Sequence, residues 1–230
     1  MTRSAGNGEP LRIGRRIRAL VFDFDGLILD TETPLIDAYA DVHAAHGVAF
    51  DRELFIRSVG HADYTFDPWH GFSPHADRAA LELERRARKD ARLLGQPIRP
   101  GIVALLDAAR MRDLRVGLAS NSSHAWVEPH LARLGLLDRF TFLACREDAP
   151  SPKPEPDLYK LVLNRFGLRG PDAIAFEDSA TGTLAAKRAH LWTVAVPNAS
   201  TAHHDFSAAD LLLASLADTT LDALLARFEK

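Results

Sequence analysis

Cysteine is nearly absent: Cys145 is the single one in 230 residues. One thiol excludes an internal disulfide and any CxxC metal or redox motif, so a reducing, cytoplasmic setting is expected. Long apolar runs are missing as well, and none approaches the ~20 residues that cross a bilayer as a helix. Neither sign of charge dominates. The formal net charge is −3, which argues against a nucleic-acid or anionic-membrane partner. Internal repeats and low-complexity tracts are lacking. Arg3, Arg12, Arg15, Arg16 and Arg18 near the start read as solvated, and residues 1–17 as a loose leader. Arg15-Arg16 is not read as an export signal, because Asp23 and Asp25 interrupt the apolar stretch behind it and no small-residue cleavage site follows.

What is present is an ordinary globular composition, 47% hydrophobic and 26% charged. Ala19 to Phe22 is a short apolar run of the kind found in buried parallel strands, ending in acids and Gly26. Thr33 as N-cap with Pro34 at the first helical position predicts a helix that stops at Gly47. Ser58 to Trp69 has loop character. Ser73-Pro74 is expected to open a long helix, with Leu83, Ala87, Ala91 and Leu94 as its buried face and Gly95 and Pro97 as its end. From Pro100 onward helices alternate with short apolar strands at Val116–Ser120, Phe140–Ala144, Ala173–Asp178, Trp192–Val196 and Asp210–Ala214. That alternation predicts an α/β fold with a Rossmann-like parallel sheet. The stretch from Thr31 to Gln96 interrupts it as an all-helical insert. The expected division is a core of residues 18–30 and 97–230 and a helical cap of residues 31–96.

Four polar features each follow a predicted strand, at the sheet edge where open parallel sheets bind ligands. In Asp23-Phe24-Asp25-Gly26, two carboxylates at i and i+2 on an extended strand end point the same way. One can attack phosphorus and the other carry a proton to the leaving oxygen. Ser120-Asn121 offers a hydroxyl and backbone N–H groups at a helix start, suited to phosphate oxygens. In Ser151-Pro-Lys153-Pro-Glu-Pro156, prolines on both sides restrict an ammonium that suits a reaction gathering negative charge. Phe176-Glu177-Asp178-Ser179 ends an apolar strand in the oxygen ligands that Mg²⁺ prefers. Taken singly, each has an ordinary reading: a surface acid pair, an N-cap, a solvated lysine, a capping aspartate. Taken in order, they do not.

The motifs Asp23-Phe-Asp-Gly-Leu-Ile-Leu-Asp-Thr-Glu32 and Phe176-Glu-Asp-Ser179 resemble those of the haloacid dehalogenase superfamily, and the likeness runs from Arg18 to the C-terminus. The subgroup it resembles carries a small helical cap, as the beta-phosphoglucomutase-like and phosphoglycolate phosphatase-like members do. The resemblance implies Asp23 as nucleophile and metal ligand, and Asp25 as general acid/base whose main-chain carbonyl binds the metal. It implies Ser120 and Lys153 as holders of the phosphoryl group, with Asn121 beside them and Thr31 at the hinge into the cap. It implies Asp178 as a Mg²⁺ ligand with Glu177 alongside, and a small phosphorylated metabolite as partner. A monomer is expected. Asp25 separates the chain from the dehalogenases, since halide needs no proton. A phosphosugar mutase of the beta-phosphoglucomutase type is the alternative to a phosphatase. Such mutases place an arginine in a cap loop, whereas Ser58 to Trp69 holds no lysine or arginine; they also tend to carry a histidine where Leu35 stands. Hydrolysis is therefore favoured, with His61, Tyr64, Phe66, Trp69 and His70 as candidates either to line a substrate pocket or to pack the cap. His43, His46 and the His203-His204-Asp205 group are assigned no function.

Overall fold

The computed structural model describes residues 16–58 and 67–229. Residues 1–15 of the expected leader, and the loop residues His61, Tyr64 and Phe66, lie outside them. Ile17 is not part of a leader: it is buried in the core, and its N–H donates to a Glu229 carboxylate oxygen at 2.9 Å.

Six parallel strands form one sheet: β1 (Ala19–Phe22), β2 (Arg115–Ala119), β3 (Phe142–Ala144), β4 (Ala173–Glu177), β5 (Trp192–Ala195) and β6 (Leu211–Leu212), in the order β3-β2-β1-β4-β5-β6. The period of two feeds both faces. Leu20, Phe22, Ile174 and Phe176 enter one core layer, and Ala19, Val21, Ala173 and Ala175 the other. Phe22 and Phe176 stack across β1 and β4 with ring centroids 4.7 Å apart. Burying a ring of this size stabilises the fold by ~1.5–3 kcal/mol relative to exposure. Helices α4 (Ile102–Met111), α5 (His124–Arg133), α6 (Asp157–Phe166), α7 (Ala180–Arg188) and α8 (Leu221–Phe228) flank the sheet.

Between β1 and α4 lie α1 (Glu32–Ala45), α2 (Arg52–Ser58) and α3 (Arg78–Leu94). After β1 the chain turns tightly, with Ile28 N–H donating to Phe24 C=O and Gly26 N–H to Leu29 C=O. Leu29 then bridges Ile98, so the segments leaving and re-entering the sheet domain run side by side.

Several boundaries depart from the sequence expectation. Helix α1 starts at Glu32, not after Thr33. Thr33 N–H instead donates to the Asp30 carboxylate, and Pro34 sits inside the first turn, where its missing N–H has no intrahelical partner to lose. Ser58 belongs to α2, whose opening Asp51 marks by accepting from Leu54 N–H. Helix α3 opens at Arg78, because the Asp77 carboxylate accepts from Ala79 and Ala80 N–H; Ser73-Pro74 precedes it as a turn. Its buried residues are Leu81, Arg85 and Leu93, while Leu83 and Leu94 are about 70% exposed (71% and 70%). The Arg85 stem replaces an aliphatic residue on the buried face, with its guanidinium over the Tyr39 ring. Strand β3 begins at Phe142 rather than Phe140, after a 3₁₀ turn at Leu137–Arg139, and β6 shortens to Leu211–Leu212. Trp69 packs with Val42 and Leu81 inside the insert, its ring stacked on that of His43; His70 is exposed.

Candidate active site

Asp23 is the first residue beyond β1, and its N–H still pairs with Phe176 C=O of β4 at 3.0 Å. The strand ladder therefore fixes its main chain. Lys153 arrives from a loop beyond β3, in which the Lys153–Pro154 peptide is cis. Its ammonium lies 2.6 Å from a carboxylate oxygen of Asp23 and 2.6 Å from one of Glu177. Glu177 is fully buried at the end of β4 and also accepts from the Tyr159 hydroxyl. Asp178, one residue on, is buried and accepts from the Asn198 amide at 2.8 Å. One carboxylate oxygen each from Asp23, Glu177 and Asp178 lies within 4.8 Å of the others.

Close packing is built into the loops around these acids. Gly26 has φ +77°, and a Cβ there would sit 2.0 Å from Asp178 Oδ2. At Gly182, in the first turn of α7, a Cβ would sit 2.0 Å from Glu177 Oε2.

Three buried carboxylates against one ammonium leave excess negative charge. Burial foremost, and then Glu177 and Asp25, push Asp23 up to about 8 despite the pull of Lys153. Burial and the neighbouring Asp23 push Asp178 well above the usual carboxylate range. Burial alone would lower the Lys153 ammonium, but Asp23 and Glu177 raise it, so it stays charged. Glu177 Oε2 is buried without a hydrogen-bond partner. An oxygen-rich, negatively overloaded pocket with an orphaned carboxylate oxygen fits a hard divalent cation. Cys145 is fully buried, and burial pushes its thiol up to about 12, which disfavours a thiolate.

Asp25 is half-buried and stands apart from this group. Its Oδ2 accepts from the Ser122 hydroxyl at 2.6 Å and its Oδ1 from the Trp126 indole N–H at 2.9 Å. Ser120 is buried beside β3, but its N–H is committed to Ala144 C=O and its Oγ accepts from Ser122 N–H. Ser120 and Asn121 precede α5, which starts at His124 as the sequence predicts. They form the loop before it, and Ser120 retains its hydroxyl proton as a donor. The Asn121 amide is spent on the main chain of Lys153, accepting from its N–H at 2.8 Å and donating to its C=O at 3.3 Å. Asn121 thus shapes the lysine loop rather than presenting its side chain to a ligand. Thr31 is buried at the N-cap of α1, where the insert begins.

Sequence reasoning passed over Ser122 as a partner of Asp25, passed over Trp126, Tyr159 and Asn198 altogether, and gave Glu32 no role beyond its place in the motif. Burial pushes the Glu32 carboxyl up to about 7. Its place at the end of the Asp-Thr-Glu motif was the one available signal for it. Trp126, Tyr159 and Asn198 carry none, because each reaches the site from its own helix or loop.

The fold and this edge of carboxylates and lysine define a hydrolase of the haloacid dehalogenase-like family, to which the chain belongs; that family matches residues 17–190. Its relatives place it among the phosphatases. The chain is 35% identical to hexitol phosphatase B of Escherichia coli (strain K12) over 219 residues, covering 92% of this chain and 98% of that protein. It is 37% identical to YhcW of Bacillus subtilis (strain 168) over 215 residues, covering 91% and 96%. The crystal structure of CbbY from Rhodobacter sphaeroides in complex with phosphate superposes with a TM-score of 0.70 at 27% identity, covering 90% of this chain and 99% of that one.

Proposed function

We propose that the chain hydrolyses a small phosphate monoester, of the sugar or sugar-alcohol class, with Mg²⁺ as cofactor and through an aspartyl-phosphate on Asp23. The observation that carries this reading is the buried contact of Asp23 with the Lys153 ammonium, beside Glu177 and Asp178. The substrate class comes from the likeness to hexitol phosphatase B. In this reading Asp23, Asp178 and the main-chain carbonyl of Asp25 hold Mg²⁺, with Glu177 alongside. When bound, the ion supplies the charge that lets a carboxylate approach a phosphate dianion.

The protein's own groups do the rest. Asp23 attacks phosphorus while Lys153 and the Ser120 hydroxyl hold the phosphoryl oxygens. Asn121 fixes the loop that carries Lys153. Asp25 gives a proton to the leaving oxygen, then takes one from the water that cleaves the aspartyl-phosphate. Residues 31–96 act as a cap that excludes water for the first step and admits it for the second, with Thr31 and Gln96 at its two junctions.

The test is phosphate release from a panel of sugar and sugar-alcohol phosphates, with Mg²⁺ or EDTA. Release is expected to need the metal and to vanish in Asp23→Asn. Undiminished release from that variant would sink the proposal. Interconversion of sugar monophosphates is not expected, with or without a bisphosphate activator.

A further inference from the structure

Asp25 is held by two donors of different kinds. The Ser122 hydroxyl can donate or accept, so it tolerates either charge state of its partner. The indole N–H can only donate. Whatever Oδ1 does, it must remain an acceptor while Trp126 holds it.

The indole is itself held firmly. Trp126 lies in the first turn of α5, a helix anchored by the fully buried Val127 and Leu131. His130, one turn on, meets the ring edge-on, with centroids 4.5 Å apart and planes at 67°. The Lys89 ammonium of α3 sits 4.1 Å from the ring centroid, a cation–π contact between the insert and the sheet domain. A second contact joins the same two helices, where Arg133 donates to the Leu94 carbonyl at 3.1 Å. The ring therefore has little freedom to follow Asp25, and Asp25 must conform to the ring.

We propose that Trp126 is a positioning residue for the proton transfer: its indole N–H reserves Oδ1 as an acceptor, so that the acid proton rides on Oδ2. This rests on the phosphatase reading above. When Asp23 attacks, a bond forms between its carboxylate oxygen and phosphorus, and the bond from phosphorus to the leaving oxygen breaks. That oxygen keeps the electron pair and takes the proton from Oδ2, leaving Asp25 as a carboxylate still bonded to Trp126. Ser122 donates to Oδ2 in the carboxylate state; while Oδ2 carries the proton the hydroxyl turns to accept from it, until the leaving oxygen takes that proton and Ser122 donates again.

Leaving-group dependence tests the assignment. An alkyl phosphate such as sorbitol 6-phosphate needs a proton on its departing oxygen, and p-nitrophenyl phosphate does not. Because kcat/KM reports steps up to the first irreversible one, Trp126→Phe is expected to lower it by roughly 10- to 100-fold for the alkyl ester, part of what general acid catalysis supplies. For the aryl ester it should change by no more than about threefold. Trp126→Phe added to Asp25→Asn should cost nothing further for the alkyl ester. Equal losses on both esters, or additive losses in the double variant, would show a structural role only and overturn the proposal. A second measurement does not depend on activity. The Trp126 indole N–H signal in a ¹⁵N NMR spectrum of the full chain, assigned with Trp126→Phe, should shift and exchange faster in Asp25→Ala and in the milder Asp25→Leu. An unmoved signal in both removes the hydrogen bond and the proposal with it. If wild type hydrolyses neither ester, the chosen substrates fail while the indole signal still decides the positioning.

Discussion

At the scale of single side chains, the crowding of Asp23, Glu177 and Asp178 makes metal-free folding sensitive to pH. A carboxyl raised to about 8 from an ordinary 3.8 keeps its proton in the native state through an interval where the unfolded chain has lost it. Native protons in excess mean that stability is highest at the acid end of that interval and is lost as pH rises toward 8. Lys153 stays an ammonium in both states across the interval and does not tilt the slope. In EDTA the Tm is therefore expected to fall between about pH 5 and pH 8, and Mg²⁺ should raise it more at pH 8, since its ligands must be deprotonated. A flat Tm in EDTA, or an equal gain at both pH values, would contradict this. The acids were readable in sequence because each pair ends an apolar run, and the lysine because prolines flank it on both sides. Trp126, Tyr159 and Asn198 were not, because single residues on separate segments announce nothing until the chain brings them together. Asn121 was read for its main-chain N–H, and sequence cannot show that its side-chain amide bonds the main chain of Lys153.

Among the elements, the strands and helices α4 to α7 were legible because short apolar runs and amphipathic stretches alternate there, whereas α8, which follows the last strand, was not read as a helix. Helix α3 was legible as a helix but not in its orientation. Leu83, Ala87, Ala91 and Leu94 make an acceptable apolar stripe, yet the buried residues are Leu81 and Arg85, which pack against α1, and Leu93, which joins the core layer on one face of the sheet. An arginine whose stem is buried and whose head rests on Tyr39 reads as polar in a sequence and as apolar in the packing. Leu93→Ala is expected to destabilise the protein by about 2–5 kcal/mol. Leu83→Ala should stay within about 0.5 kcal/mol. Denaturant unfolding of the two variants checks the assignment, and the reverse order would restore the sequence reading. Helix α2 escaped because seven residues offer barely two turns of periodicity, although Asp51 supplies a cap.

Over the whole molecule, the paired segments at Leu29 and Ile98, tied again by Arg99 N–H to Ile28 C=O, give the insert one narrow attachment to the sheet domain. Its remaining hold includes the α3–α5 contacts at Lys89–Trp126 and Arg133–Leu94. Addition of Mg²⁺ with a phosphate analogue is expected to slow amide hydrogen exchange around residues 30–32 and 95–98. No change there would count against cap closure. The strand order has a consequence for how the protein comes into being. During synthesis β1 emerges first, entirely apolar, yet its two hydrogen-bonded neighbours are drawn from near residues 115 and 173. Asp23 pairs only with the later of the two, through Phe176. A nascent chain therefore carries Asp23, the proposed nucleophile, long before β4 can orient it, and leaves an apolar strand unpaired for most of translation. A truncated product that ends before β4 lacks the main-chain partner of Asp23 together with Glu177 and Asp178, and is expected to be inert.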